Sequence, residues 1–203
     1  MTKSRLYIEM QSALREHEKD YLSFRQKVAG DYTKSQMSKA AAYTLFCHAE
    51  IEAYFENWSL HFVNLAQTKW RQGKATKPLV HMCTFHEGRE PIKKVPTTDV
   101  WTEVVEKSFR KQYHVISSNH GIKEENVSAL LAPLGFDIRK IDPVLLGDLS
   151  ALGVLRGGHA HTARKSQLSA VFDPFDRRNK AISILSLLQH LDAELVAYKK
   201  QCF

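Results

Sequence analysis

Apolar residues recur three and four positions apart along most of the chain, which is the spacing of one face of an α-helix. Over about residues 3–28 they form a single stripe on an otherwise charged segment. Over about residues 35–71 they cover much of the circumference, so we expect this helix at the centre of the protein. Further helices are expected at about residues 99–117 and 123–134, from residue 142 and from residue 173. The pattern predicts an all-α, up-and-down bundle of about five to six helices.

Capping residues mark where some of these helices begin and end. Thr33 or Ser35 is expected to cap the second helix, because a hydroxyl accepts a hydrogen bond from a first-turn N–H. Asp142 followed by Pro143 predicts another start, since proline fits the first helical turn. Gly135 is expected to end the helix that precedes it.

One stretch, residues 72–97, interrupts this pattern. Its sequence, QGKATKPLVHMCTFHEGREPIKKVPT, contains glycine, proline and lysine and shows no helical periodicity. We interpret it as a long irregular insertion with room for a short hairpin, within a single domain that spans residues 1–203. Long connections of this kind often carry function.

Charge adds a preference for polyanions. The chain of 203 residues has a formal net charge of +7, and an excess of this sign attracts RNA and DNA. Aromatic residues lie among the basic ones and can stack on unpaired bases. A solvated charged surface is the alternative. The expected RNA-binding rim contains Lys69, Arg71, Lys74, Lys77, Arg89, Lys93, Lys94, Arg164, Lys165, Arg177, Arg178 and Lys180.

The sequence also argues against several classes of protein. No apolar run approaches the ~20 residues that cross a bilayer, and the charged N-terminus lacks the apolar core of a signal peptide. The cysteines, Cys47, Cys83 and Cys202, are widely spaced and odd in number, which argues against a disulfide framework. We therefore expect a cytoplasmic protein with no membrane partner.

The segment HMCTFH places His81, Cys83 and His86 close together along the chain. Histidine and cysteine are zinc ligands, but this spacing fits no standard zinc finger and no second ligand pair follows it. We therefore expect neither a metal ion nor a cofactor. The alternative is a metal-dependent enzyme that combines His81 and Cys83 with the pair His159 and His161.

The stretch GVLRGGHAHTARK, residues 153–165, has the residue types best suited to chemistry. Gly157 and Gly158 each cost a helix roughly 1 kcal/mol relative to alanine, so stability does not explain them. They either leave the surface beside Arg156 bare for a close approach or fray the helix at Gly157. Arg156 offers a fork of donors for phosphate, and His161 can move a proton near neutral pH. The alternative interpretation is that Arg156 and His161 have no chemical role and lie at a helix end, where cationic residues interact favourably with the helix dipole.

Arg156 and His161 together supply two requirements for attack of a ribose 2′-hydroxyl on its own phosphodiester. Histidine transfers the proton, and arginine stabilises the charge that builds at phosphorus. The central helix adds three carboxylates in apolar surroundings, Glu50, Glu52 and Glu56. Glu52 and Glu56, four residues apart, share an apolar face of this helix, and a carboxylate there needs a partner, for which arginine or histidine would serve.

The residues LRGGHAHT resemble the R-x4–6-H signature of HEPN domains, which are all-helical domains of nucleic-acid-processing and defence systems. The chain is most similar to the RiboL-PSP-HEPN type. The central helix of that type has a glutamate and a following aromatic residue, matched by Glu52 and Tyr54 in IEAYFENW. The resemblance covers the chain from about residue 35 to the C-terminus.

The resemblance implies a metal-independent endoribonuclease that acts on RNA as a homodimer, with two motifs meeting across a cleft. It also implies a toxin or an antiviral effector, controlled by an antitoxin or another regulatory partner. By position, Arg156 and His161 are implied to be catalytic, and Glu52 to orient them or balance their charge. The residues expected to bind substrate beside them are His159, Arg164 and Lys165.

One position departs from the pattern of this family. Many active members have Asn, Asp or His directly after the arginine, where this chain has Gly157. In an active enzyme, His159 would supply the polar side chain that those members have directly after the arginine. The alternative is a catalytically inactive HEPN-like dimer that binds RNA or a partner protein.

Overall fold

The structure is a computed structural model that describes residues 3–28, 31–87, 98–161 and 172–203. For residues 87, 98, 99 and 158–161 it describes the backbone but not the side chains. Within these ranges the regular structure is entirely helical and no strand occurs, so the all-α prediction is confirmed. The seven α-helices of the described ranges are α1 (Arg5–Tyr21), α2 (Lys34–Arg71), α3 (Lys77–Glu87), α4 (Thr98–Ser117), α5 (Glu124–Leu131), α6 (Pro143–His161) and α7 (Pro174–Cys202).

The chain forms two compact units. The first contains α1 and α6, the second contains α3 and α4, and α2 and α7 contribute to both. The first unit comprises Met1–Tyr54, Gly121–Glu124 and Ile141–Ala193, and the second comprises Phe55–His120, Glu125–Lys140 and Glu194–Phe203. The single domain expected over residues 1–203 stays a prediction.

In the first unit, a buried carboxylate fixes the start of α1. Ser4 caps this helix by accepting a hydrogen bond from the backbone N–H of Tyr7 at 3.0 Å. The N–H and the hydroxyl of Ser4 donate to Asp192 of α7 at 2.7 and 2.6 Å. Tyr54 of α2 donates to the same carboxylate at 3.0 Å, so Asp192, which is fully buried, joins three helices. α1 ends at Tyr21, well before the predicted residue 28.

Local capping accounts for two predicted helix starts. Before α2, the Thr33 N–H donates to Gln36 Oε1 at 2.9 Å, and the Gln36 N–H donates to Thr33 Oγ1 at 3.2 Å. This reciprocal pair is a capping box. Before α6, Asp142 accepts a hydrogen bond from the N–H of Val144 at 2.7 Å. The predicted caps at Thr33 and Asp142 are therefore confirmed.

The insertion predicted to be irregular, residues 72–97, contains the helix α3, so that prediction is wrong for Lys77–Glu87. The hydroxyl of Thr76 accepts a hydrogen bond from the N–H of Leu79 at 3.4 Å and caps this helix. Leu79 and Met82, which are 3% and 0% exposed, form its buried stripe. A stripe this short gives no visible period among lysine, proline and histidine, which explains the error. Residues 88–97 lie outside the described residues.

In the second unit, neutral side chains form a buried hydrogen-bond network around Gln112 of α4. The Gln112 amide donates to Ser59 Oγ at 3.4 Å and to the carbonyl oxygen of Leu130 at 3.3 Å. The Ser59 hydroxyl donates to the same carbonyl at 2.8 Å, and His86 Nε2 donates to Gln112 Oε1 at 3.0 Å. Gln112 and Ser59 are both 0% exposed, so these polar groups satisfy one another without water.

Neither a disulfide nor a membrane-spanning helix occurs in the described part of the chain. Cys47, Cys83 and Cys202 form no disulfide. Burial raises the pKa of the Cys47 thiol to about 12, which keeps it protonated and unreactive at neutral pH. None of the described helices combines the length and the apolar character needed to cross a bilayer.

Candidate functional site

α6 carries Arg156, the predicted catalytic arginine, near its C-terminal end. The helix continues through Gly157 to His161, so the alternative in which it frays at Gly157 is wrong. A Cβ atom added at Gly157 would meet no described atom within 4 Å. The glycine therefore leaves open space next to Arg156 and does not make room for another described helix of this chain.

On α2, His48 and Glu52 lie one helical turn apart in the first unit. His48 Nδ1 and Glu52 Oε2 are 3.6 Å apart, which is too long for a hydrogen bond. Their side chains are 3% and 17% exposed. Burial and, after it, the positive charge of Arg156 lower the pKa of His48 to about 4. His48 is therefore neutral at neutral pH, and its contact with Glu52 is not an ion pair there.

Two of the predicted site residues, Arg156 and Glu52, thus have a common neighbour. The charge of Arg156 acts on His48, and His48 contacts Glu52. The Arg156 side chain remains partly exposed, so a ligand can reach it. The arrangement offers a guanidinium to a phosphate group, with a largely buried carboxylate on the neighbouring helix to balance charge.

The other predicted site residues are described in part or not at all. The backbones of His159 and His161 lie in the last turn of α6, but their side chains are outside the described atoms. Arg164 and Lys165 lie outside the described residues. The catalytic role of His161 and the substrate-binding roles of the other three therefore stay predictions from the sequence.

His48 is the site residue that the sequence analysis missed. It lies four residues before Glu52 on a helix, a spacing that places both side chains on one face. That spacing is a usable signal, because a carboxylate in apolar surroundings needs a polar neighbour. The effect of Arg156 on His48 has no signal in the sequence, since the two residues belong to different helices.

The other two carboxylates of this part of α2 also have polar partners. In the first unit, His17 Nε2 lies 3.2 Å from Glu50 Oε1. In the second unit, the Asn119 amide donates to Glu56 Oε1 at 2.8 Å. Glu56 thus has the polar partner that was expected, but this partner is an asparagine and not the predicted arginine or histidine. Glu52 differs from them because its neighbouring histidine is the one on which Arg156 acts.

The residues considered for zinc, His81, Cys83 and His86, lie on α3. His86 is engaged in the buried network, where its Nε2 donates to Gln112. Across the described ranges, no three or more His, Cys, Asp or Glu residues are grouped so that they could hold a metal ion. The described part of α3 thus offers no support for the metal-dependent alternative.

Comparisons with known proteins do not assign the chain to a family. No protein-family model, no curated protein and no solved structure matches it. The resemblance to HEPN domains therefore depends on the motifs around Arg156 and Glu52, and membership of that family stays a prediction.

Proposed function

We propose that the protein is a metal-independent endoribonuclease that acts on RNA as a homodimer in the cytoplasm. The observation that carries the proposal is the effect of Arg156 on His48, which in turn contacts Glu52. It supports the proposal because the resemblance pairs an arginine at the end of one helix with a glutamate on the central helix. The net charge of +7 is a second support, since it favours a polyanionic substrate.

In the proposed reaction, the ribose 2′-oxygen attacks the adjacent phosphorus. The imidazole of His161 accepts the 2′-hydroxyl proton, the bond between O2′ and phosphorus forms, and the bond between phosphorus and O5′ breaks. The proton returns to the departing 5′-oxygen. The products are a 2′,3′-cyclic phosphate and a 5′-hydroxyl, and the reaction balances without a metal ion or a cofactor.

The other residues of the proposed site act on charge and on the substrate. Arg156 stabilises the negative charge that builds on the phosphoryl oxygens. Glu52 balances the charge of this arginine before RNA binds and orients its guanidinium. The residues proposed to hold the RNA backbone are His159, Arg164 and Lys165.

A nuclease of this kind needs control in the cell that makes it. We therefore propose a toxin or an antiviral effector, with an antitoxin or another regulatory protein as its partner. The homodimer would bring two copies of Arg156 and His161 to one cleft.

A catalytically inactive HEPN-like dimer that binds RNA or protein is the second candidate function. Gly157 favours it, because this position provides no side chain to contact a phosphate where many active HEPN domains have a polar residue. The nuclease cleaves RNA and the inactive dimer does not, so cleavage distinguishes the two candidates.

RNA cleavage in the presence of EDTA tests the proposal. We expect the wild-type protein to cut single-stranded RNA and to leave 2′,3′-cyclic phosphate ends. Arg156→Ala and His161→Ala should each slow cleavage by about 10²–10³-fold, because they remove charge stabilisation and proton transfer. His190→Ala is the control, since His190 is an exposed histidine of α7 outside the site, and it should retain full activity.

Two results would contradict the nuclease. Cleavage that survives both substitutions would remove Arg156 and His161 from the mechanism. Cleavage that is abolished by EDTA would favour a metal-dependent enzyme. RNA binding by the wild type without any cleavage would instead favour the inactive dimer.

A further inference from the structure

Three basic residues lie near the start of α7, and two of them have acidic partners. Arg178 Nε lies 2.6 Å from Glu18 Oε1 of α1, and Lys180 Nζ contacts Asp148 of α6. Arg177 differs, because its Nε is buried and has no hydrogen-bond partner among the described atoms. Arg177 is therefore a partly buried cation with an unfilled donor.

An aromatic ring holds the Arg177 side chain. Its Cζ lies 4.7 Å from the centre of the Phe172 ring, which is a cation–π contact. A ring face provides no oxygen acceptor, so this contact fixes the guanidinium without satisfying its N–H donors. Burial lowers the pKa of Arg177, and the charge of neighbouring Asp176 opposes that change only in part.

These features together are typical of a residue that binds an anion. Nε itself is closed to solvent, so an anion binds through the other N–H donors of the guanidinium, which belongs to a partly exposed side chain. Guanidinium matches the geometry and charge of phosphate oxygens. The side chain is partly exposed, so an anion can reach it.

We infer that Arg177 binds a backbone phosphate of single-stranded RNA and is a contact additional to the Arg156 motif. The choice of RNA rests on the proposed function, because a basic nuclease meets phosphates at every nucleotide of its substrate. The phosphate provides the counter-charge that Glu18 and Asp148 provide for the two neighbouring basic residues.

Binding of an oligonucleotide with 2′-O-methyl ribose tests this inference separately from cleavage, since the methylated ribose has no attacking hydroxyl. Fluorescence anisotropy is measured over a range of salt concentrations. We expect Arg177→Gln to weaken binding about 10-fold, because it removes a charge-assisted hydrogen bond. The slope of log affinity against log salt should fall by about 0.7, the value for one phosphate on a single strand.

Arg5→Gln is the matched control, because it removes the same charge outside the expected RNA-binding rim, at a residue whose cation already has a carboxylate partner in Glu9. Its binding should change by about 2-fold or less. Arg177→Lys should keep the salt slope of the wild type but bind more weakly, since lysine has the charge without the planar fork. If Arg177→Gln does not fold, the weaker binding expected of Arg177→Lys tests the phosphate contact in its place.

Three results would overturn the inference. The first is wild-type affinity and salt slope in Arg177→Gln. The second is an equal loss in Arg5→Gln, which would indicate a general effect of net charge. The third is loss of the dimer with intact RNA binding, which would assign Arg177 to a protein interface. Salt-dependent binding through Arg177 without cleavage of unmodified RNA would reject the nuclease and leave this inference standing.

Discussion

The two compact units contain buried polar clusters of different character. In the second unit, Gln112 and Ser59 are neutral, are both 0% exposed, and direct their hydrogen bonds to a backbone carbonyl. In the first unit, His48 and Glu52 are ionisable and lie where the charge of Arg156 acts. The neutral cluster has acceptors for its donors, whereas in the charged cluster burial and, after it, the charge of Arg156 lower the pKa of His48 from the ordinary 6.5 to about 4.

This difference separates groups that join helices from groups available for chemistry. A satisfied neutral network stabilises and specifies packing. Perturbed ionisable groups are concentrated at functional sites, although structural clusters also perturb them. We therefore assign a structural role to the Gln112 network and place the candidate site in the first unit. Three substitutions test that assignment.

Gln112→Ala should have the largest effect, and it should be an effect on stability. The change leaves a cavity and removes the acceptor of His86, so we expect the free energy of unfolding to fall by about 3 kcal/mol. Urea denaturation measures this, with Gln201→Ala, at an exposed glutamine, as the control. RNA cleavage per folded molecule should not change. A loss of activity without a loss of stability would contradict the structural role.

The charged cluster should make the protein sensitive to acid through His48. The folded-state pKa of about 4 lies below the ordinary 6.5, so between these values the unfolded chain binds the proton and the folded chain does not. Stability is therefore fully present above pH 6.5 and is lost as the pH falls. From pH 7 to pH 5 we expect the free energy of unfolding to fall by about 2 kcal/mol.

Urea denaturation of His48→Gln at the two pH values measures this contribution. The variant should lose most of the pH dependence, whereas His190→Gln, which changes an exposed histidine, should retain it. His61, whose pKa burial also lowers, contributes a remaining change of the same sign. An unchanged pH dependence in His48→Gln would show that His48 is not the acid-sensitive group.

Gly157→Ala should have the smallest effect on stability, and that effect should be favourable. Alanine is a better helix former, and a Cβ here meets no described atom within 4 Å, so we expect a gain of about 0.5–1 kcal/mol. RNA cleavage should fall several-fold if the bare surface beside Arg156 admits the RNA backbone. Gly147→Ala is the control, because it lies on the same helix with equally open space. It should give the same gain and unchanged cleavage.

The positions of most helices could be predicted because their signals are local. Thr33 and Asp142 cap helices through hydrogen bonds to residues two or three positions away, and these are visible in the sequence. The end of α1 could not be predicted, because Phe24 continues the apolar stripe but lies beyond the helix. The Phe24 ring packs edge-on against Tyr32 and Phe175. These are contacts of the tertiary structure, which the local sequence pattern does not show.

The candidate site could be predicted only where a motif marked it. Arg156 and Glu52 were identified from the sequence because each belongs to a motif of the resembled family. His48 was not, because its importance depends on a charge carried by another helix. Arg177 was identified as one of many basic residues. Its difference from Arg178 depends on where carboxylates lie in the folded chain.

The buried carboxylate of Asp192 also sets the order in which the protein can be completed during synthesis. Its donor Ser4 lies 188 residues earlier in the chain. A ribosome adds roughly 5–20 residues per second, so the acceptor is made about 10–40 s after the donor. Likewise, the Tyr7 hydroxyl cannot donate its hydrogen bond until the carbonyl group of Leu185, 178 residues later, has been made. α1 is therefore translated before the other described helices but is among the last of them to dock.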